Sequence, residues 1–198
     1  MMADIVVRTR ALAGAEVVTS RAARRTLAVL FFAVLTALGA YVMVPIPGTP
    51  VPVTLQTMVV ILSGVLLGAR LGAASQLAYL AAGIAGAPVF TGGGAGPLHL
   101  MGLTGGYLLA FPVAAAVAGA VAGRARSRGV GRVRILAGLA AGAAVILAVG
   151  ASQLAILTGD AANAIRLGIT PFVAGDAVKI LVALLVANRV RDRVLGRL

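Results

Sequence analysis

Cysteine is absent from this 198-residue chain, histidine occurs once, and only five residues are acidic. The first absence excludes disulfides, thiolate metal sites and cysteine nucleophiles together. His99 has no second ligand near it, and five scattered carboxylates form no cluster. No metal site, catalytic centre or cofactor is therefore expected. Charge is scarce overall, at 11% of residues against about 25% in a soluble globular domain. The hydrophobic share is 61% and the mean hydropathy +1.07. Such a composition cannot make an ordinary water-facing surface, which excludes a soluble enzyme. A net charge of +12 suits a nucleic-acid partner only when the cations line a folded soluble face. Here they sit between long uncharged runs, so no nucleic-acid partner is expected. The pattern is that of a polytopic membrane protein.

The uncharged runs are Thr26–Ala69, Leu71–Gly123 and Ile135–Gly159. A spanning helix needs roughly 20 apolar residues, so these runs hold two, two and one. The first is interrupted by Pro45, Pro47, Pro50 and Pro52, and the second by Pro88 and the glycine-rich stretch Gly92–Pro97. Proline lacks an amide donor and crowds the preceding turn, so neither break continues a helix. A last span starts at Pro171, with Thr170 as its expected N-cap. The expectation is an all-α integral membrane protein with six transmembrane helices, at about 26–44, 54–69, 71–87, 105–123, 135–157 and 171–188. Residues 1–25 form a basic N-terminal segment, 26–188 the membrane domain and 189–198 a basic tail. The basic start followed by an apolar run reads as a retained first helix rather than a cleaved signal peptide. Of the 17 cations, all but Arg166 and Lys179 fall on one side of this arrangement. The positive-inside rule then makes both termini cytoplasmic, and an odd number of spans breaks the alternation.

The outer connections are the elaborate ones. The first is proline-rich, the second is glycine-rich and the third, Gly159 to Thr170, holds Asp160 and Arg166. Glycine permits close backbone approach, which suits a site that opens outward. Asp176 and Lys179 lie within the last span. Charges in hydrocarbon cost about 2.5–3.5 kcal/mol each and are functional candidates by default. Their i, i+3 spacing puts them on one helix face. Either they neutralise each other as an internal pair, or they bind the two ends of a polar, anionic solute. Gln76 and Tyr79 share a face in the third span, Tyr107 begins the fourth, and Thr54, Gln56 and Thr57 open the second. No G-x-x-x-x-G-K phosphate loop occurs. Uphill transport driven by ATP therefore requires partners.

Several segments resemble the BioY family. They are Pro50-Val51-Pro52-Val53-Thr54-Leu55-Gln56-Thr57, then Ala87-Pro88-Val89-Phe90 before the glycine loop, then Gly102-Leu103-Thr104-Gly105-Gly106-Tyr107, and Gly175-Asp176-Ala177-Val178-Lys179. Leu103 stands where the family often has proline, and Ala110 where it often has glycine. The resemblance implies a biotin-binding S component of an energy-coupling factor transporter in a bacterial plasma membrane, not an enzyme. It implies that Lys179 meets the valerate carboxylate and Asp176 the ureido N–H groups. Gln76, Tyr79, Tyr107 and the glycine-loop backbone at Gly93 are implied to line the rest of the pocket. The implied partners are a transmembrane T subunit, met through Ala33 and Ala37, and two ABC-type ATPases, all in a lipid bilayer. A homo-oligomer stays open. The alternative on the residues alone is a stand-alone proton- or ion-coupled carrier for a small anionic solute, with Asp176 titrating.

Overall fold

The computed structural model describes residues 20–123 and 128–198. The described chain is helical apart from one two-residue strand pair. Helix α1 spans Arg21–Tyr41, its start capped by the Ser20 hydroxyl, which accepts from the Ala23 amide at 3.1 Å. Strands β1 (Met43–Val44) and β2 (Val53–Thr54) pair antiparallel, Met43 opposite Thr54, and the prolines fill the loop between them. Helix α2 spans Gln56–Leu67 and α3 spans Ala69–Ile84. Gly68 separates them at φ +81°, a left-handed conformation that reverses the chain in one residue. A 3₁₀ turn (Thr91–Gly93) and the short α4 (Pro97–Leu100) fold the glycine-rich connection. Then come α5 (Gly105–Ala122), α6 (Arg128–Thr158), α7 (Ala161–Gly168) and α8 (Thr170–Arg197).

Four stretches among the described residues are long and apolar enough to cross a membrane: Arg21–Tyr41, Gly105–Ala122, Gly131–Thr158 and Ala161–Arg197. Helix α2, at 12 residues, rises only about 18 Å, and α3, at 16 residues, about 24 Å. Both fall short of a hydrocarbon core of about 30 Å. Burial explains the shortness of α2. It packs against α1, α3, α5, α6 and α8, and all but Thr57 and Met58 are buried. A helix ringed by protein need not traverse lipid unaided, because non-helical backbone at membrane depth is tolerated when protein surrounds it.

Element ends depart from the hydropathy-based expectation in a consistent way. Helix α1 begins at Arg21 rather than residue 26, α6 at Arg128 rather than 135, and α8 continues past Asn188 to Arg197. Charge ends an apolar run, but arginine is a good helix former and does not end a helix. Residues 1–19 of the basic segment, and Arg124 and Arg126, lie outside the described residues. The third outer connection is not an open loop but α7, capped by Asp160, whose carboxylate accepts from the Asn163 amide at 2.9 Å. Thr170 is the first residue of α8 and not its cap.

Small residues set the helix crossings. Gly64 of α2 faces Ala115 and Gly119 of α5 and Gly72 of α3 at backbone distance. Gly138 and Gly142 of α6 lie against Ala114, Ala118 and Ala122 of α5. Where lipid is as apolar as the side chains, such close approach supplies the packing energy. Ala33 and Ala37 of α1 are half-buried against the core. Its outward face is Leu27, Leu30, Phe31, Val34 and Leu38, all more than half exposed.

Candidate functional site

The first turn of α2, the β-hairpin, the 3₁₀ turn, α5, α6 and α8 surround one cavity of about 490 Å³, part of it open to solvent. Its apolar walls come from Val51 and Val53 of the hairpin, Leu108 and Phe111 of α5, Ile146 and Leu147 of α6, and Phe172 of α8. Tyr107 adds a ring whose hydroxyl donates to the Gly168 carbonyl at 2.8 Å, tying α5 to the end of α7. That ring fits because Gly150 of α6 leaves a notch which any side chain would fill.

Polar groups converge at two places on this wall. At the first, Lys179 Nζ donates to Asp176 Oδ1 at 3.0 Å and to Thr57 Oγ1 at 2.9 Å. Both charged residues are buried, at 8% and 7% exposure. An ammonium carries three donors and a carboxylate two oxygens. One Lys179 donor and Asp176 Oδ2 have no hydrogen-bond partner among the described residues. The cluster thus presents a donor beside an acceptor, with its net charge balanced. At the second place, Gln56 Oε1 accepts from Thr91 at 3.1 Å and from Thr54 at 3.3 Å. Gln56 Nε2 donates to the Tyr79 hydroxyl at 2.6 Å, and that hydroxyl donates to the Val89 carbonyl at 3.2 Å. Thr104 adds a further hydroxyl to the lining.

The expected site residues divide three ways. Asp176, Lys179 and Tyr107 line the cavity together. Tyr79 stands behind Gln56, orienting it rather than facing the space. Gln76 is elsewhere: fully buried, it donates to Ser63 at 3.2 Å and Ser75 at 3.0 Å, and Thr36 Oγ1 lies 3.2 Å from its Oε1. This network joins α1, α2 and α3. Tyr79 and Gln76 do share a face of α3, but that face turns toward α2 and α1, so being on one face did not bring both to the solute. Gly93 is exposed in the 3₁₀ turn, and its neighbour Thr91 is the residue that reaches the cavity. Gln56, Thr57, Thr91 and Thr104 line the cavity without having been assigned to it, and only the first two had a signal in the sequence. Their signal was three polar side chains, Thr54, Gln56 and Thr57, at the mouth of an otherwise apolar run.

Asp176 and Lys179 are paired with each other rather than held apart. One helical turn holds i and i+3 side chains side by side, and their charged atoms here are in contact. They face the cavity side by side.

The BioY family profile matches residues 10–196. Over 163 residues the chain is 41% identical to the probable biotin transporter BioY of Pyrococcus horikoshii, covering 82% of this chain and 93% of that protein. It is 36% identical over 160 residues to the biotin transporter BioY of Thermotoga maritima, covering 81% and 91%. The fold resembles the crystal structure of the S-component for biotin from an ECF-type ABC transporter, with a TM-score of 0.74. That match covers 85% of this chain and 90% of the other at 24% identity, which speaks for the fold.

Proposed function

The chain belongs to the BioY family, and from that premise we propose that it captures biotin as the S component of an energy-coupling factor transporter. It is a multi-pass membrane protein with no catalytic role. The observation that carries the reading at this chain's own residues is the buried Asp176–Lys179–Thr57 cluster opening into a largely apolar cavity. Biotin is itself a polar ureido ring, an apolar middle and a carboxylate. A cyclic urea carries N–H donors beside a carbonyl acceptor, which complements the paired Asp176 acceptor and Lys179 donor. A free carboxylate at that spot meets Asp176 as well as Lys179, so the ureido end suits the cluster better. The carboxylate is then assigned to the hydroxyl-rich wall of Thr54, Gln56, Thr91 and Thr104.

On this reading α1, α2, α3, α5, α6 and α8 make six crossings, with both termini on the cytoplasmic side of the plasma membrane. The basic ends of α1 and α8 support that orientation. Phosphate-loop chemistry is missing from the sequence, so two ABC-type ATPases and a transmembrane T subunit supply the energy. The partner contact on α1 is proposed at Ala33 and Ala37 and the exposed side chains flanking them.

The test is uptake of labelled biotin by cells without a biotin importer of their own. Expression with T and ATPase subunits is expected to give ATP-dependent accumulation that a Walker-lysine substitution in the ATPases abolishes. Accumulation that needs no partner, follows the proton gradient and disappears in Asp176→Asn overturns the S-component reading in favour of an ion-coupled carrier.

A further inference from the structure

Arg191 sits at the end of α8 remote from the cavity, and nothing in solute capture requires it. Yet it is buried at 6% exposure, and its guanidinium bridges two other helices. Nε donates to the Val65 carbonyl at 2.9 Å, in the last turn of α2. Nη2 donates to the carbonyl of Gly123, the residue that caps α5. The last carbonyls of a helix lack intrahelical donors and carry partial negative charge, so a planar cation with forked donors suits both at once.

We infer that Arg191 is a positioning residue, which fixes the axial register of α8 and so the height at which Asp176 and Lys179 meet Thr57. The buried stripe of α8 reads Phe172, Asp176, Lys179, Ala183, Ala187, Arg191. Ala183 and Ala187, both fully buried, present single methyl groups. Between Lys179 and Arg191 the stripe itself carries no large side chain, and Ile180, Leu184 and Val190 pack beside it only partly buried. Register is instead held at the two polar ends, and both ends clamp to α2: Lys179 to Thr57, and Arg191 to Val65. Twelve residues on α8 rise about 18 Å, and eight residues on α2 about 12 Å. Helical side chains tilt toward the N-terminus, so the long arginine reaching back toward Val65 takes up the difference. Shortening or removing that arm frees α8 to slide and misaligns the cluster.

The affinity arm of the test rests on the biotin reading, and the distance arm does not. The chain has no cysteine, so spin labels placed through Leu77→Cys on α3 and Leu185→Cys on α8 report one distance without background. Both side chains are more than half exposed. Arg191→Gln is expected to shift or broaden that distance distribution and to weaken biotin binding on the order of tenfold. Arg191→Lys, which keeps a cation but cannot fork to both carbonyls, is expected to lie between, and it serves if Arg191→Gln does not fold. Thr36→Val is the comparator: it removes a hydroxyl from the buried α1–α3 network and is expected to lower the melting temperature while leaving biotin affinity unchanged. An unchanged distance distribution in the Arg191 variants overturns the inference. So does an affinity loss that Thr36→Val reproduces at equal destabilisation. If the wild type binds no biotin, the functional reading fails and the distance arm alone decides the role of Arg191.

Discussion

Lys179→Ala is expected to weaken biotin capture by on the order of a hundredfold or more while the protein remains folded. A hydrogen bond to a charged group is worth about 1.5–3 kcal/mol, and each 1.4 kcal/mol is a factor of ten in affinity; the uncompensated Asp176 charge is a separate cost to the fold. Two losses combine here. On the proposed pose the donor to the ureido carbonyl disappears, and Asp176 keeps only the Thr57 hydroxyl, 3.5 Å away, to answer its buried carboxylate. Asp176→Asn is expected to cost less, because the amide retains an acceptor and fills the same space. Isothermal titration in detergent reads both variants. Ligand analogues fix which end of biotin the pair meets. Methylating a ureido nitrogen is expected to abolish binding, whereas converting the carboxylate to an amide is expected to weaken it only moderately. The reverse ranking places the carboxylate at Lys179 and refutes the assignment of the ureido ring to that cluster.

Gly64→Val is expected to prevent recovery of a folded protein, or to lower its melting temperature more than any substitution in the cavity. A Cβ built at Gly64 lies 2.8 Å from the carbonyl carbon of Ala115 and directly on its oxygen. The obstruction is backbone, so no side-chain rotation relieves it. Overpacking ordinarily costs about 1–3 kcal/mol, and here the cost is expected at or above the top of that range. The same position also receives Gly72 of α3 and Gly119 of α5, so three helices separate together. Gly196→Ala, with nothing within 4 Å of its added carbon, is the matched substitution expected to change nothing. Thermal unfolding followed by size-exclusion chromatography measures the pair. A Gly64→Val protein that melts with the wild type contradicts the packing described for α2, α3 and α5.

Hydropathy located the helices because uncharged runs and proline breaks act over long stretches of chain. Each of the six expected segments overlaps a helix. What hydropathy could not place were their ends, since α6 and α8 extend through arginines that lipid rejects but a helix accepts. Nor could it show α7, where eight residues of mixed polarity form a helix only with the help of the Asp160 cap. Asp176 and Lys179 were legible because charge within an apolar run is costly enough to demand a reason. Tyr107 was legible for its position at the head of a span. Gln76 was not, because a glutamine inside a bundle satisfies itself equally well on neighbouring helices or on a solute. Only the rotation of α3, set by Gly72 against Gly64, decides between them. The contact between Asp176 and Lys179 follows from helix geometry alone, and the polar wall of Thr54, Gln56 and Thr91 needed the hairpin and the 3₁₀ turn to bring distant segments together.

The most direct measurement is calorimetric titration of the purified wild-type protein with biotin, without any partner subunit. Saturable binding at one biotin per chain, absent in Lys179→Ala, is the expected result and establishes a solute receptor complete in itself. A monodisperse, thermally cooperative wild-type protein that takes up no biotin even at millimolar concentration contradicts the proposed function.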